Sequence, residues 1–130
     1  MVLKDRGKKG WGRFFRSFKY ASRGLIYVLS KEQNMQLHTA FAVLVVVIAF
    51  LLRISLHHLI ILIVVIAGVL ALEIVNTAIE RTVDLVTDEY HPLAERAKDI
   101  SAAAVFVFSI AAVVIGILIF YEPVLSLFTK

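Results

Sequence analysis

Residues 33–52, 54–72 and 100–121 contain no Asp, Glu, Lys or Arg, and these stretches are 20, 19 and 22 residues long. A helix rising about 1.5 Å per residue crosses a hydrocarbon layer of about 30 Å in roughly 20 residues. The pattern therefore predicts three membrane-spanning helices, over residues 33–52, 54–80 and 100–121, the second running past its uncharged stretch. Residues 1–31 precede them as a basic segment, and residues 1–130 read as a single domain. The expected fold is an all-α integral membrane protein: an N-terminal amphipathic surface helix followed by three transmembrane helices.

Composition sharpens this reading. The chain is 60% hydrophobic and 18% charged, with a mean hydropathy of +0.86, against roughly 45–50% apolar residues in soluble domains. Too little chain remains outside the spans for a soluble catalytic domain, so any chemistry must be built at their ends. The absence of cysteine excludes disulfides and thiolate metal sites.

Charge placement sets an expected orientation. Nine of the fourteen basic residues lie between Lys4 and Lys31, and Arg81, Arg96 and Lys98 flank the connection between the second and third spans. By the positive-inside rule the N-terminus and residues 81–99 face the cytoplasm, and the C-terminus faces outward. In the leader, Trp11, Phe14, Phe15, Phe18, Leu25 and Leu29 share one side of a helical wheel, with Arg13, Arg16, Lys19 and Arg23 on the other. Such a helix lies in the membrane interface with its cations near lipid phosphates. A basic face backed by an apolar stripe selects a lipid surface over nucleic acid.

The candidate chemistry begins at the cytoplasmic end of the second span. With Glu73 at zero on a helical wheel, Asn76 falls near −60°, Glu80 near −20° and Asp84 near +20°, which places three carboxylates and an amide in one stripe. Like charges on one face repel, and carboxylates near lipid are costly, so a cation or polar partner is expected among them. One reading pairs the acids with Arg81, Arg96 and Lys98. The stronger one is a divalent metal beside a functional acid, and all-oxygen ligands favour Mg²⁺. A span that begins near Leu56 places Glu73 about 26 Å along the helix axis, at headgroup level. A transporter would keep its carboxylate near the midplane.

Two further clusters flank the stripe. Glu32-Gln33-Asn34-Met35-Gln36-Leu37-His38 opens the first span, and Glu32 could share a metal with Glu80 once the helices pack. In His91-Pro92-Leu93-Ala94-Glu95-Arg96-Ala97-Lys98-Asp99, Pro92 marks a helix start, and Lys98 at the membrane edge suits a phosphate contact. Ala102, Ser109, Ala112 and Gly116 make a small-residue stripe that lets a neighbouring helix approach.

Glu73-x-x-Asn76-Thr77-Ala78-x-Glu80-x-x-x-Asp84 followed by Ala97-Lys98-Asp99 resembles the signature of the small prokaryotic diacylglycerol kinase family, over nearly the whole chain. Glu32-x-Asn34-x-x-x-His38 and His91-Pro92-x-Ala94 resemble its Gram-positive branch, whose members are undecaprenol kinases. The resemblance implies a homotrimer in the bacterial cell membrane, with sites shared between subunits, that transfers the γ-phosphoryl of ATP with Mg²⁺ to a lipid hydroxyl. Undecaprenol is the expected acceptor and diacylglycerol the alternative; a small membrane transporter is the more distant functional alternative to a kinase. Carried over by position, Glu73 is the general base, Asn76 orients the site and Glu32 and Glu80 hold the metal. Glu32, Glu80, Lys98, Asp99, His91 and Arg13 contact the nucleotide. None of the six glycines forms a P-loop, so phosphate binding must rest on the metal and Lys98.

Overall fold

The computed structural model describes residues 11–129, which form four helices: α1 (Trp11–Lys31), α2 (Gln33–Leu51), α3 (Leu56–Val86) and α4 (Pro92–Phe128). There is no strand among the described residues. The last three helices are each long and apolar enough to cross a membrane. Where water is absent, a helix satisfies every interior backbone N–H and C=O within one segment, and the uncharged stretches fold accordingly.

The chain separates into two compact units, α1 with Glu32 and the bundle from Gln33 onward. α1 keeps Trp11, Phe14, Phe15 and Phe18 exposed along one side. Trp11 meets Phe14 edge-to-face at 6.2 Å between ring centroids, and Phe14 meets Phe18 at 5.0 Å. Helical bonding continues into Glu32, whose backbone N–H donates to Val28 O at 3.0 Å.

In the bundle, α3 packs against both α2 and α4. The turn after α2 explains why the second span begins at Leu56 rather than residue 54. Arg53 adopts a positive φ of 52°. Its N–H donates to Phe50 O at 3.1 Å, and that of Ile54 to Ala49 O at 3.1 Å. These two bonds make a Schellman ending, with Ile54 folded back on Ala49. Ser55 then caps α3, its side chain accepting from the His58 N–H at 3.4 Å. Beside this turn Ala49, Leu62 and Ile119 are buried together, one from each helix.

α4 begins before the expected 100–121 span because its start is set by caps rather than hydropathy, and it continues through Pro123 to Phe128. Pro92 occupies the first turn, and His91 caps it by accepting the Leu93 N–H on Nδ1 at 3.2 Å. α3 and α4 approach closely at Gly68: a Cβ there would stand 2.5 Å from Phe108 Cζ and 2.6 Å from Cε1. Gly68→Ala should therefore lower stability by about 1–2 kcal/mol, overpacking outweighing its gain in helix propensity. Thermal unfolding in detergent checks this, and Gly68→Ala should cost little once Phe108→Leu has opened the space.

Candidate active site

The polar stripe of α3 runs from interior to surface. Glu73 and Asn76 are 3% and 4% exposed, Glu80 is half-buried, and Asp84 is exposed. Thr77 is buried beside them. The 3.6-residue period produces this gradient: one helix face descends from the bundle interior to the connection with α4, turn by turn.

Asn76 joins the two helices. Its Nδ2 donates to Glu80 Oε1 at 2.9 Å, and its Oδ1 accepts from Ser101 Oγ, on α4, at 2.6 Å. The amide thus spends its donor on a carboxylate and its acceptor on a hydroxyl. Unpaired, either end would cost about 1–3 kcal/mol in this buried setting. One turn nearer the surface, Lys98 Nζ forms an ion pair with Asp84 Oδ1. Side-chain exposures of 40% and 45% make it a screened pair that holds Lys98 in place more than it stabilises the fold.

The remaining expected site residues fall as follows. His91 is exposed and caps α4 with Nδ1, which leaves Nε2 as its outward group. Asp99 is exposed, one residue beyond Lys98. Glu32 is half-buried after α1, and Arg13 is exposed on α1, where its carbonyl oxygen accepts from Ser17 Oγ at 3.0 Å. The structure therefore brings together Glu73, Asn76, Glu80, Asp84 and Lys98 at one end of the α3–α4 pair. Of the expected pairings between basic residues and acids, the Lys98–Asp84 pair is present.

Ser101 was not anticipated. It is 8% exposed and links α4 to the stripe. Its signal was modest: it is the first polar side chain of the uncharged stretch 100–121 and lies one turn past Lys98. Tyr90 also escaped notice; its hydroxyl donates to Glu95 Oε2 at 2.9 Å across the start of α4.

Among the described residues no three His, Cys, Asp or Glu side chains gather into a metal-holding cluster. The donors nonetheless suit Mg²⁺, which keeps several waters and takes one or two carboxylates plus substrate phosphates. Glu80 is a half-buried carboxylate with its Oε1 held by Asn76, the kind of single carboxylate such an ion takes beside substrate phosphates. Two hollows adjoin the site. One of about 490 Å³ lies among α2, α3 and α4, is almost wholly apolar, and reaches Val69 and Leu70, one turn from Glu73. The other, about 380 Å³, lies where α3 meets α4 and includes Thr87, His91 and Ala97.

These features define a class: a small helical membrane protein with a buried carboxylate and amide at the end of one span and a lysine at the start of the next. Residues 19–120 match the family model described as prokaryotic diacylglycerol kinase. The undecaprenol kinase of Bacillus subtilis is 47% identical over 108 residues, 83% of this chain and 88% of that protein. A diacylglycerol kinase of Synechocystis is 40% identical over 112 residues, 85% of this chain and 64% of that protein. The diacylglycerol kinase of Escherichia coli K12 is 35% identical over 105 residues, covering 81% and 86% of the two chains. The chain belongs to the prokaryotic diacylglycerol kinase family, and with it to the lipid kinases.

The burial gradient predicts unequal costs along the stripe. Asn76→Ala removes a hydrogen bond from half-buried Glu80 and another from buried Ser101 and should lower stability by about 2–3 kcal/mol, whereas Asp84→Ala should cost no more than about 1 kcal/mol. Denaturation midpoints of the two variants in the same detergent test this, and equal losses would contradict the gradient.

Proposed function

We propose that the protein transfers the γ-phosphoryl group of ATP to the hydroxyl of undecaprenol, giving undecaprenyl phosphate and ADP. The observation that carries this reading is Glu73, a carboxylate buried at the end of a membrane-spanning helix beside Asn76 and Glu80. A lipid hydroxyl and a water-soluble nucleotide meet at that level. Glu73 accepts the hydroxyl proton as the lipid oxygen forms its bond to the γ-phosphorus, and the bond to the β-phosphate oxygen breaks. Asn76 holds Glu80 in register, and Glu32 and Glu80 would hold Mg²⁺. When bound, the ion neutralises charge on the β- and γ-phosphates.

Lys98, already fixed by Asp84, supplies a further positive charge to the phosphates. Asp99, His91 and Arg13 complete the nucleotide contacts, with His91 beside the hollow at the α3–α4 connection. The apolar hollow next to Glu73 suits the hydrocarbon chain of the acceptor. We further assign a homotrimer in the bacterial cell membrane with the N-terminus and residues 81–99 in the cytoplasm and the C-terminus outside. The basic leader and the basic residues flanking the α3–α4 connection support that orientation.

Undecaprenol is preferred to diacylglycerol because the 47% identical relative is named an undecaprenol kinase, and because Asn34, His38 and His91-Pro92 resemble that branch. Labelled ATP and Mg²⁺ supplied with each lipid in parallel should give the higher kcat/KM with undecaprenol; the opposite ranking assigns diacylglycerol. Glu73→Gln should lower kcat by about 10²–10⁴-fold with ATP binding retained. Full turnover in that variant would remove Glu73 as the base.

A further inference from the structure

Asn76 is nearly symmetric in shape, so its amide can sit in either of two orientations that differ by a half-turn. Steric packing distinguishes them poorly, and hydrogen bonding must choose. Glu80, when ionised, only accepts hydrogen bonds. Its Oε1 lies 2.9 Å from the Asn76 amide and therefore requires Nδ2 to face it. That orientation turns Oδ1 toward α4, where Ser101 Oγ stands 2.6 Å away. Both residues are buried, so water does not compensate for a mismatch.

The Ser101 hydroxyl has one proton and two acceptors within reach: Asn76 Oδ1, and Lys98 O at 2.8 Å. The Lys98 carbonyl lies inside α4, where the helix supplies an N–H from the following turn. Asn76 Oδ1 is a side-chain acceptor on another helix and has no such intrahelical donor. The proton is accordingly worth more on Oδ1. If the amide were reversed, its oxygen would oppose the Glu80 carboxylate and push it out of position.

We propose that Ser101 is a positioning residue: Glu80 selects the orientation of the Asn76 amide, and the Ser101 hydroxyl tethers its Oδ1 to α4 and so restrains the Nδ2 that holds the Glu80 carboxylate in register. Ser101 touches neither substrate nor reacting atoms in this account. It acts through Asn76, 25 positions earlier in the chain, and ties the register of α4 to that of the acidic stripe on α3. The consequence for catalysis rests on the role given above to Glu80 on the nucleotide side; the hydrogen-bond lock itself does not.

Two readouts separate these layers. The first is hydrogen exchange of the Asn76 side-chain amide in the full chain in detergent, its resonances identified by their loss in Asn76→Asp. Ser101→Ala should accelerate that exchange roughly tenfold, the scale of one lost buried hydrogen bond. Ser101→Thr, which keeps the hydroxyl, should stay within about twofold of the parent, the margin expected for a retained bond. The second readout is kinetic. Ser101→Ala should raise the KM for ATP at fixed Mg²⁺ roughly tenfold, by the same reasoning, with the KM for lipid unchanged and Ser101→Thr restoring the parent value.

An exchange rate unchanged in Ser101→Ala overturns the proposal, as does a Ser101→Thr variant that exchanges like Ser101→Ala; accelerated exchange with an unchanged KM for ATP in an active enzyme overturns the nucleotide-side role of Glu80 and leaves the lock standing. If Ser101→Ala does not fold, Ser101→Cys, similar in shape but a weak donor, carries the same comparison. A parent chain that phosphorylates no lipid would sink the proposed function, while the exchange experiment would still decide the lock.

Discussion

A carboxylate inside a membrane-spanning helix loses its water, and its hydrogen bonds must then come from the protein. Glu73 is under that constraint, and so is the Asn76 amide buried one turn along α3. Polar residues are concentrated on one face of α3, α4 starts next to that face, and Ser101 and Lys98 on α4 answer Asn76 and Asp84 on α3. Apolar packing elsewhere in the bundle is comparatively simple: Ala49, Leu62 and Ile119 bury one another near the α2–α3 turn, far along α3 from the acids.

The two ends of the stripe obey different electrostatics. Near Glu73 and Asn76, burial makes each donor and acceptor consequential, and the Asn76 amide is met by the Glu80 carboxylate on one side and the Ser101 hydroxyl on the other. At Asp84 and Lys98, partial exposure screens the charges, so an ion pair forms with little effect on stability. That gradient suits chemistry at a membrane edge. The Glu73 carboxylate sits toward the bundle interior, and Lys98, held by Asp84, sits toward the surface.

Much of the fold was legible from hydropathy because the membrane enforces a simple rule: uncharged stretches of about 20 residues become helices. Residues 33–52 became Gln33–Leu51 almost unchanged. The edges that shifted did so through local hydrogen bonding that hydropathy does not register. Arg53 ends α2 by adopting the left-handed conformation, and His91 caps α4 well before the uncharged stretch that begins at Ile100. Within the site, the Glu73–Asn76–Glu80–Asp84 stripe was readable because a single helix with a 3.6-residue period generates it. The contribution of α4 was only partly readable: Lys98 drew attention by its charge, whereas Ser101 is a common residue in an apolar run.

The sequence by itself determined which segments enter the membrane, which face of α3 is acidic, and the resemblance to a lipid kinase family, since each depends on local periodicity or spacing. Only the tertiary structure decided how that face is satisfied. It buried Glu73 and Asn76, left Asp84 exposed, paired Asp84 with Lys98, and gave the Asn76 amide a donor from Ser101, 25 residues away. The physical reason is that the value of a polar group is set by its solvent and its partner, and both depend on how two helices distant in sequence come to lie side by side.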